Sequence, residues 1–315
     1  MAWHDGILDS LSRDDHWGYR VGEHRATEPL ALAALALIGH GRHAVATKLL
    51  EALCDLQDNT GAVGIYPGAG APHWGTAHAV LAWSAALEGS HFAPNLRDRF
   101  RAAAVQGCKF ILSVAGKTIR PEDAKDDISH NTMLVGWPWV EGTHSWLEPT
   151  AVCSLALRAT RKYPELETTR IESIGREAEA VRLMIDRILP AGGCNYGNTF
   201  VLGQLLRPHL QPTGIVLLAL AGATVPEKEE RIVKSLAWVE GAINAGTTTA
   251  SLAYGLLGLA AHDRERTDAS DLLDKSLNKP TSSLGAYLPR RSLAALATLG
   301  KNSPLITVGR EGAAR

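Results

Sequence analysis

The chain has 315 residues, 45% of them hydrophobic and 21% charged, with a net charge of −1 and a pI near 6.9. Near-neutral charge without a basic stretch removes the electrostatic reason for nucleic acid or an anionic membrane surface as partner. The start, MAWHDGILDS, has neither a basic n-region nor an apolar h-region, and no apolar run reaches the length of a membrane span. Four cysteines (Cys54, Cys108, Cys153, Cys194) lie far apart without a CxxC pair, so a reducing cytoplasm is the expected location.

In chain order, residues 16–37 read HWGYRVGEHRATEPLALAALAL: an aromatic-glycine loop, Glu28-Pro29, then an apolar run. An amphipathic charged segment follows from Arg42 to Leu56. WGTAHAVLAWSAAL at 74–87 repeats the apolar run without the proline, and a second charged segment spans Asn95 to Val114. GWPWVEGTHSWLEPTAVCSLAL at 136–157 restores the full pattern, with Glu148-Pro149 at the same place. After a charged segment from Thr168 to Leu189, residues 193–220 (GCNYGNTFVLGQLLRPHLQPTGIVLLAL) carry Gln211-Pro212. Glu227 to Glu240 is charged again, GTTTASLAYGLLGL at 246–259 is apolar, Arg266 to Leu277 is charged, and Ser292 to Leu299 is the last apolar run.

Proline after Glu or Gln suits a first helical turn, since its fixed φ is pre-organised and its missing N–H would be unpaired there. An acidic side chain at that end also meets the positive end of the helix dipole. Runs apolar on nearly every face must be buried, and the charged segments between them read as half-exposed partners. Asn95 and Thr168 are the expected N-caps of two of these, and Gly192 a stop. Buried inner helices alternating with amphipathic outer ones predict an all-α chain: an α/α toroid of roughly five to six helix pairs, with an open two-layer superhelix as the competing architecture. Residues 1–300 are read as one domain and 301–315 as a disordered tail.

The units WGYRVGEHRATEPLALAALAL, GWPWVEGTHSWLEPTAVCSLAL and NYGNTFVLGQLLRPHLQPTGIVLLAL resemble the repeats of the prenyltransferase and squalene-cyclase family, and LQDNTGAVGIY at 56–66 resembles a QW motif without its tryptophan. The resemblance implies an α/α toroid with a central apolar cavity for an isoprenoid or another long apolar ligand. A non-catalytic scaffold binding a protein or peptide at the toroid mouth is the second reading. Neither of the family's chemistries finds its residues. The cyclase DxDD acid is absent: Asp14-Asp15 and the cluster Glu122, Asp123, Asp126, Asp127 lack that spacing. The zinc ligands of protein prenyltransferases are also unmatched, so no cofactor is expected. His78 and Cys153 are the weak candidates for zinc, and magnesium is the other metal considered. GCNYGN at 193–198 lacks the glutamine that an internal thioester requires.

A recurring residue serves the repeat, whereas a site is usually a departure from it. On that logic Glu28, Glu148 and Gln211, with the loop aromatics Trp17, Trp137, Trp139 and Tyr196, are assigned to helix starts and loop stacking. The departures are the cavity candidates. His78 stands where other copies have Leu32, Val152, Ile215 and Ser251, and Trp83 where they have Leu37, Leu157, Leu220 and Leu256. Cys153, Tyr254 and His144 complete the set.

Overall fold

A computed structural model describes residues 3–13, 17–120, 130–225, 230–279 and 287–311. The acidic candidates Asp14, Asp15, Glu122, Asp123, Asp126 and Asp127 lie outside them. The described chain is helical, in the order α1 (Asp5–Leu11), α2 (Thr27–Gly39), α3 (His43–Asp55), α4 (Thr76–Leu87), α5 (Pro94–Ser113), α6 (Leu147–Thr160), α7 (Arg170–Arg187), α8 (Leu210–Leu220), α9 (Glu230–Ala242), α10 (Thr249–Ala261), α11 (Ala269–Leu277), α12 (Pro289–Thr298) and α13 (Pro304–Glu311).

The apolar runs form the inner layer. Every residue of α4 and α6 is buried, and α2, α8 and α10 are buried along almost their whole length. Each inner helix packs on the next, α2 on α4, α4 on α6, α6 on α8, α8 on α10 and α10 on α12, and α12 then packs on α2. The ring therefore closes, which decides for the toroid over the open superhelix. The amphipathic α3, α5, α7, α9 and α11 cover it from outside, and α1 fills the sixth outer position against α12 and α2. The α8–α10 crossing is the tightest. A Cβ on Gly214 would lie 2.3 Å from the Tyr254 carbonyl oxygen, and one on Gly258 would lie 2.8 Å from the Gly214 carbonyl oxygen.

Three boundaries differ from the sequence reading. Helix α5 starts at Pro94 behind Ala93, and α7 starts at Arg170 behind Thr169, with no side-chain cap at either, so Asn95 and Thr168 are not N-caps. The stretch expected to be a disordered tail instead contains α13. This helix packs on α2, α4 and α6 and buries Leu305, Ile306 and Val308. It begins beside the C-terminal end of α2, where a Cβ on Gly39 would meet Pro304. α13 thus stops the bore at the end where the inner helices finish, leaving the end where they start as the mouth. A two-residue antiparallel hairpin, Phe200–Val201 with Gln204–Leu205, projects from the loop before α8.

Candidate functional site at the toroid mouth

The loops that lead into the inner helices are built alike. The N–H of Ala26, Trp146 and His209, the residues just before α2, α6 and α8, donates to the carbonyl of Trp17, Trp137 and Cys194 respectively, at 2.8–3.0 Å. A threonine in the helix then fixes the loop: Val63, Trp137 and Cys194 donate their N–H to Oγ1 of Thr76, Thr150 and Thr213 at 2.9, 3.0 and 2.8 Å. Neighbouring loops are also tied together. Thr27 N–H donates to Ile65 O and Leu147 N–H to Tyr196 O, and Leu288 N–H returns to Tyr19 O, closing the mouth as α12 on α2 closes the ring.

This frame sets titratable groups from several units near enough to feel one another's charge. Glu28 and Glu148 each occupy the second position of an inner helix. Neither helix receives a side-chain cap from the residue before it, and each glutamate has a side-chain partner, in the loop leading into its own helix for Glu28 and on the neighbouring α8 for Glu148. The Tyr19 hydroxyl is the hydrogen-bond partner of Glu28, and Gln211 is that of Glu148. The two glutamates therefore do more than the helix-start hydrogen bonding expected of them.

Burial pushes the Glu28 carboxyl up to about 7, with Tyr19 opposing part of the rise. Glu148 also rises to about 7, first through burial and then through the nearby charge of Glu28, with Gln211 opposing. Two carboxyls that feel each other in a poorly solvated site cannot both ionise freely, so they titrate as a pair. Three tyrosines face them. Tyr254 on α10 feels the charge of both glutamates, Tyr287 feels both as well, and Tyr19 stacks on Tyr287 at 6.1 Å between ring centres. Burial raises all three phenols, which stay protonated donors at neutral pH.

The other sequence candidates scatter. Trp83 is buried with its indole N–H on the Leu50 carbonyl at 3.2 Å, so it faces the outer helix α3. His78 is buried with Nδ1 unpartnered, edge-on to Trp74, and burial alone pushes it down to about 4. Cys153 lines a narrow void of about 20 Å³ with Trp74, Trp137 and the hydrogen-bonded His73 and Glu141, and burial raises its thiol. No charge links His78 to Cys153. Among the described residues no group of three or more His, Cys, Asp and Glu is placed to hold a metal ion. His144 is exposed in the loop before α6, tilted against Trp146.

Of the loop aromatics, Trp17 and Trp137 are buried, donating their indole N–H to Leu11 O (3.4 Å) and Ile111 O (2.8 Å). Trp139 packs edge-on to Trp74 at 4.9 Å, and Tyr196 lies exposed beside His209. Sequence reasoning missed Tyr287 and read Tyr19 only as one of the loop aromatics at the mouth. Tyr19 carried a readable signal: it follows Trp17 by two residues as Trp139 follows Trp137 and Tyr196 follows Cys194.

No family model matches the chain, and no curated protein matches it in sequence. Solved structures do resemble it. A reducing-end-xylose-releasing exo-oligoxylanase superposes with a TM-score of 0.58 at 12% identity, covering 95% of this chain and 91% of that one. Rex8A from Paenibacillus barcinonensis complexed with xylose gives 0.61 at 12% identity over 96% and 94%. A variant exo-oligoxylanase complexed with xylobiose gives 0.57 at 11% identity over 96% and 93%. At such identity the likeness shows the fold, and that fold is the α/α toroid. The expected kinship with prenyltransferases and squalene cyclases is corrected by these neighbours. So are the isoprenoid-like ligand and the protein or peptide partner: the neighbours hold xylose and xylobiose, and the mouth here presents paired carboxyls, an amide and phenols where an isoprenoid would need an apolar wall. Among the described residues no helix is long and apolar enough to cross a membrane.

Proposed function

We propose that this chain is a carbohydrate-active hydrolase that cleaves a glycosidic bond between Glu28 and Glu148. One observation carries the reading: half-buried Glu28 on inner helix α2 and buried Glu148 on inner helix α6 lie close enough for the charge of one to raise the other. Glycoside hydrolysis needs one carboxylic acid to protonate the leaving oxygen and one carboxylate to act as base or nucleophile. A coupled pair at about 7 supplies both, since ionising the first member holds the proton on the second. Tyr19 and Gln211 hold the carboxyls, and with Tyr254 they offer hydroxyl and amide donors to sugar hydroxyls. Trp74, Trp139, Tyr66 and Tyr196, half-buried to exposed around the loops, provide ring faces for apolar sugar faces. The exo-oligoxylanases of the same fold make xylo-oligosaccharides the first substrates to test. Four free thiols support a reducing cytoplasm as the compartment.

The test is release of reducing sugar from xylo-oligosaccharides and other β-linked oligosaccharides by the intact chain and by Glu28→Gln and Glu148→Gln. Each substitution is expected to lower kcat by about 10²–10⁴-fold. An aryl xyloside with a good leaving group should restore the variant that lacks the acid and leave the other inactive. Unchanged rates in both variants would sink the reading.

A further inference from the structure

A second pocket lies outside the carboxyl pair, on the loop that leads into α6. It encloses about 160 Å³ and is lined by Lys117, Ile119, His130, Thr132, Leu134, His144, Ser145, Arg187 and Asn198. Its wall is rigid: Lys117 N–H donates to Thr143 O at 2.8 Å and Ile119 N–H to Thr132 O at 3.2 Å. Arg187, at the end of α7, is 95% buried by its 5% exposure, and its guanidinium is fixed on Gly197 O (2.5 Å), Asn131 O (3.2 Å) and Asp186 Oδ2 (3.2 Å). Asp186 is its charged partner, and the other two are neutral carbonyls. Asp186, the nearby acid, is also engaged by Asn131 N–H at 3.1 Å and does not line the pocket.

The other polar groups lining the pocket are donors or can become donors. Lys117 is exposed and forms no ion pair or hydrogen bond through its ammonium among the described residues. His130 Nδ1 is shut from solvent without a partner, and burial together with the Arg187 charge holds this imidazole down to about 4. The Ser145 hydroxyl accepts from Gly136 N–H at 2.9 Å, and Asn198 supplies an amide. Two cations, two imidazoles, an amide and two hydroxyls converge, and among the described residues no carboxylate lines the space.

We propose that this pocket binds a compact oxyanion, either a free phosphate or the charged group of an acidic sugar, through Lys117, Arg187, His130 and His144. The assignment gives a role to His144, which the other copies of the repeat lack, and it does not depend on the hydrolase reading. An anion there would favour imidazolium at His130 by offsetting the Arg187 charge.

The experiment is a titration of the full chain with inorganic phosphate, glucuronate and glucose 6-phosphate, with neutral xylobiose as control. It follows the histidine ring resonances by NMR and affinity by calorimetry. The expected result is a downfield shift of two histidines with each anion and none with xylobiose, with affinity falling as salt rises. Equal affinity for phosphate and the charged sugars would make the free ion the ligand; tighter binding of glucuronate or glucose 6-phosphate would make it the sugar. Lys117→Ala, at an exposed position that spares the fold, should weaken binding about fivefold, and His144→Gln should remove one of the two shifts. The proposal is overturned if no anion moves these resonances, if xylobiose moves them equally, or if Lys117→Ala binds phosphate as the parent does.

Discussion

The carboxyl pair makes the mouth sensitive to pH in a direction set by its shifts. A free glutamate ionises near 4.5, and Glu28 and Glu148 do so at about 7 in the folded chain. Between those values the folded state binds more protons than the unfolded one, so the pair's contribution is full below about 4.5. It declines as pH rises through the window and is lost above about 7. Each carboxyl accounts for at most about 3 kcal/mol, less for a coupled pair. Glu28→Gln is therefore expected to stabilise the fold at pH 8 relative to the parent and to flatten its stability between pH 5 and 8, read by urea denaturation at several pH values. Because the Glu28 charge raises Glu148, the same variant should also move the remaining carboxyl titration downward, seen by carboxyl-carbon NMR. An unmoved titration would mean that the two groups are too far apart to share a proton. Tyr254→Phe, which removes a phenol facing both glutamates, should lower the rate on xylo-oligosaccharides by about tenfold or more, with the fold intact by circular dichroism.

Among the elements, the helix-start threonines do the work that the sequence reading gave to the glutamates. Thr213 Oγ1 accepts from Cys194 N–H at 2.8 Å and donates to His209 O at 2.6 Å, joining the loop to its helix in a buried setting. Thr213→Val keeps the shape and strands the Cys194 N–H, so it should cost about 1–3 kcal/mol in chemical denaturation. A cost near zero would show that the loop relaxes to another acceptor. Gly214→Ala tests the closest crossing: its methyl would overlap the Tyr254 carbonyl, and α8 and α10 would have to part. A loss of about 1–3 kcal/mol is expected, together with reduced activity because Tyr254 moves with α10.

For the whole molecule, closure is what turns a repeat into a site. The ring sets Glu28, Glu148, Gln211, Tyr254 and Tyr287 around one mouth although they span most of the chain, while α13 stops the opposite end of the bore. Ending the chain after Asn302 removes Leu305, Ile306 and Val308 from the interior. At about 1.5–3 kcal/mol for each such side chain, the truncated protein should unfold at markedly lower denaturant and bind a hydrophobic dye. A truncation with unchanged stability would show that α13 is only loosely seated.

The sequence by itself determined the helical content, the alternation of buried and amphipathic helices and the choice between a toroid and an open superhelix, which closure of the ring then decided. All three follow from local periodicity, from Glu-Pro helix starts and from the need to bury runs that are apolar on every face. It also displayed Glu28, Glu148 and Gln211 at equivalent places, where recurrence made them look like parts of the repeat. Only the tertiary structure decided that equivalent positions in a closed ring point at one another, so that two recurring glutamates become a coupled pair with a shifted titration. The same closure turned Trp83 toward the outer layer, set His78 apart from Cys153, and drew in Tyr19 and Tyr287 from the two ends of the chain. Periodicity reports which face of a helix is buried. It does not report which other helix stands across the bore, and the chemistry of this mouth depends on that.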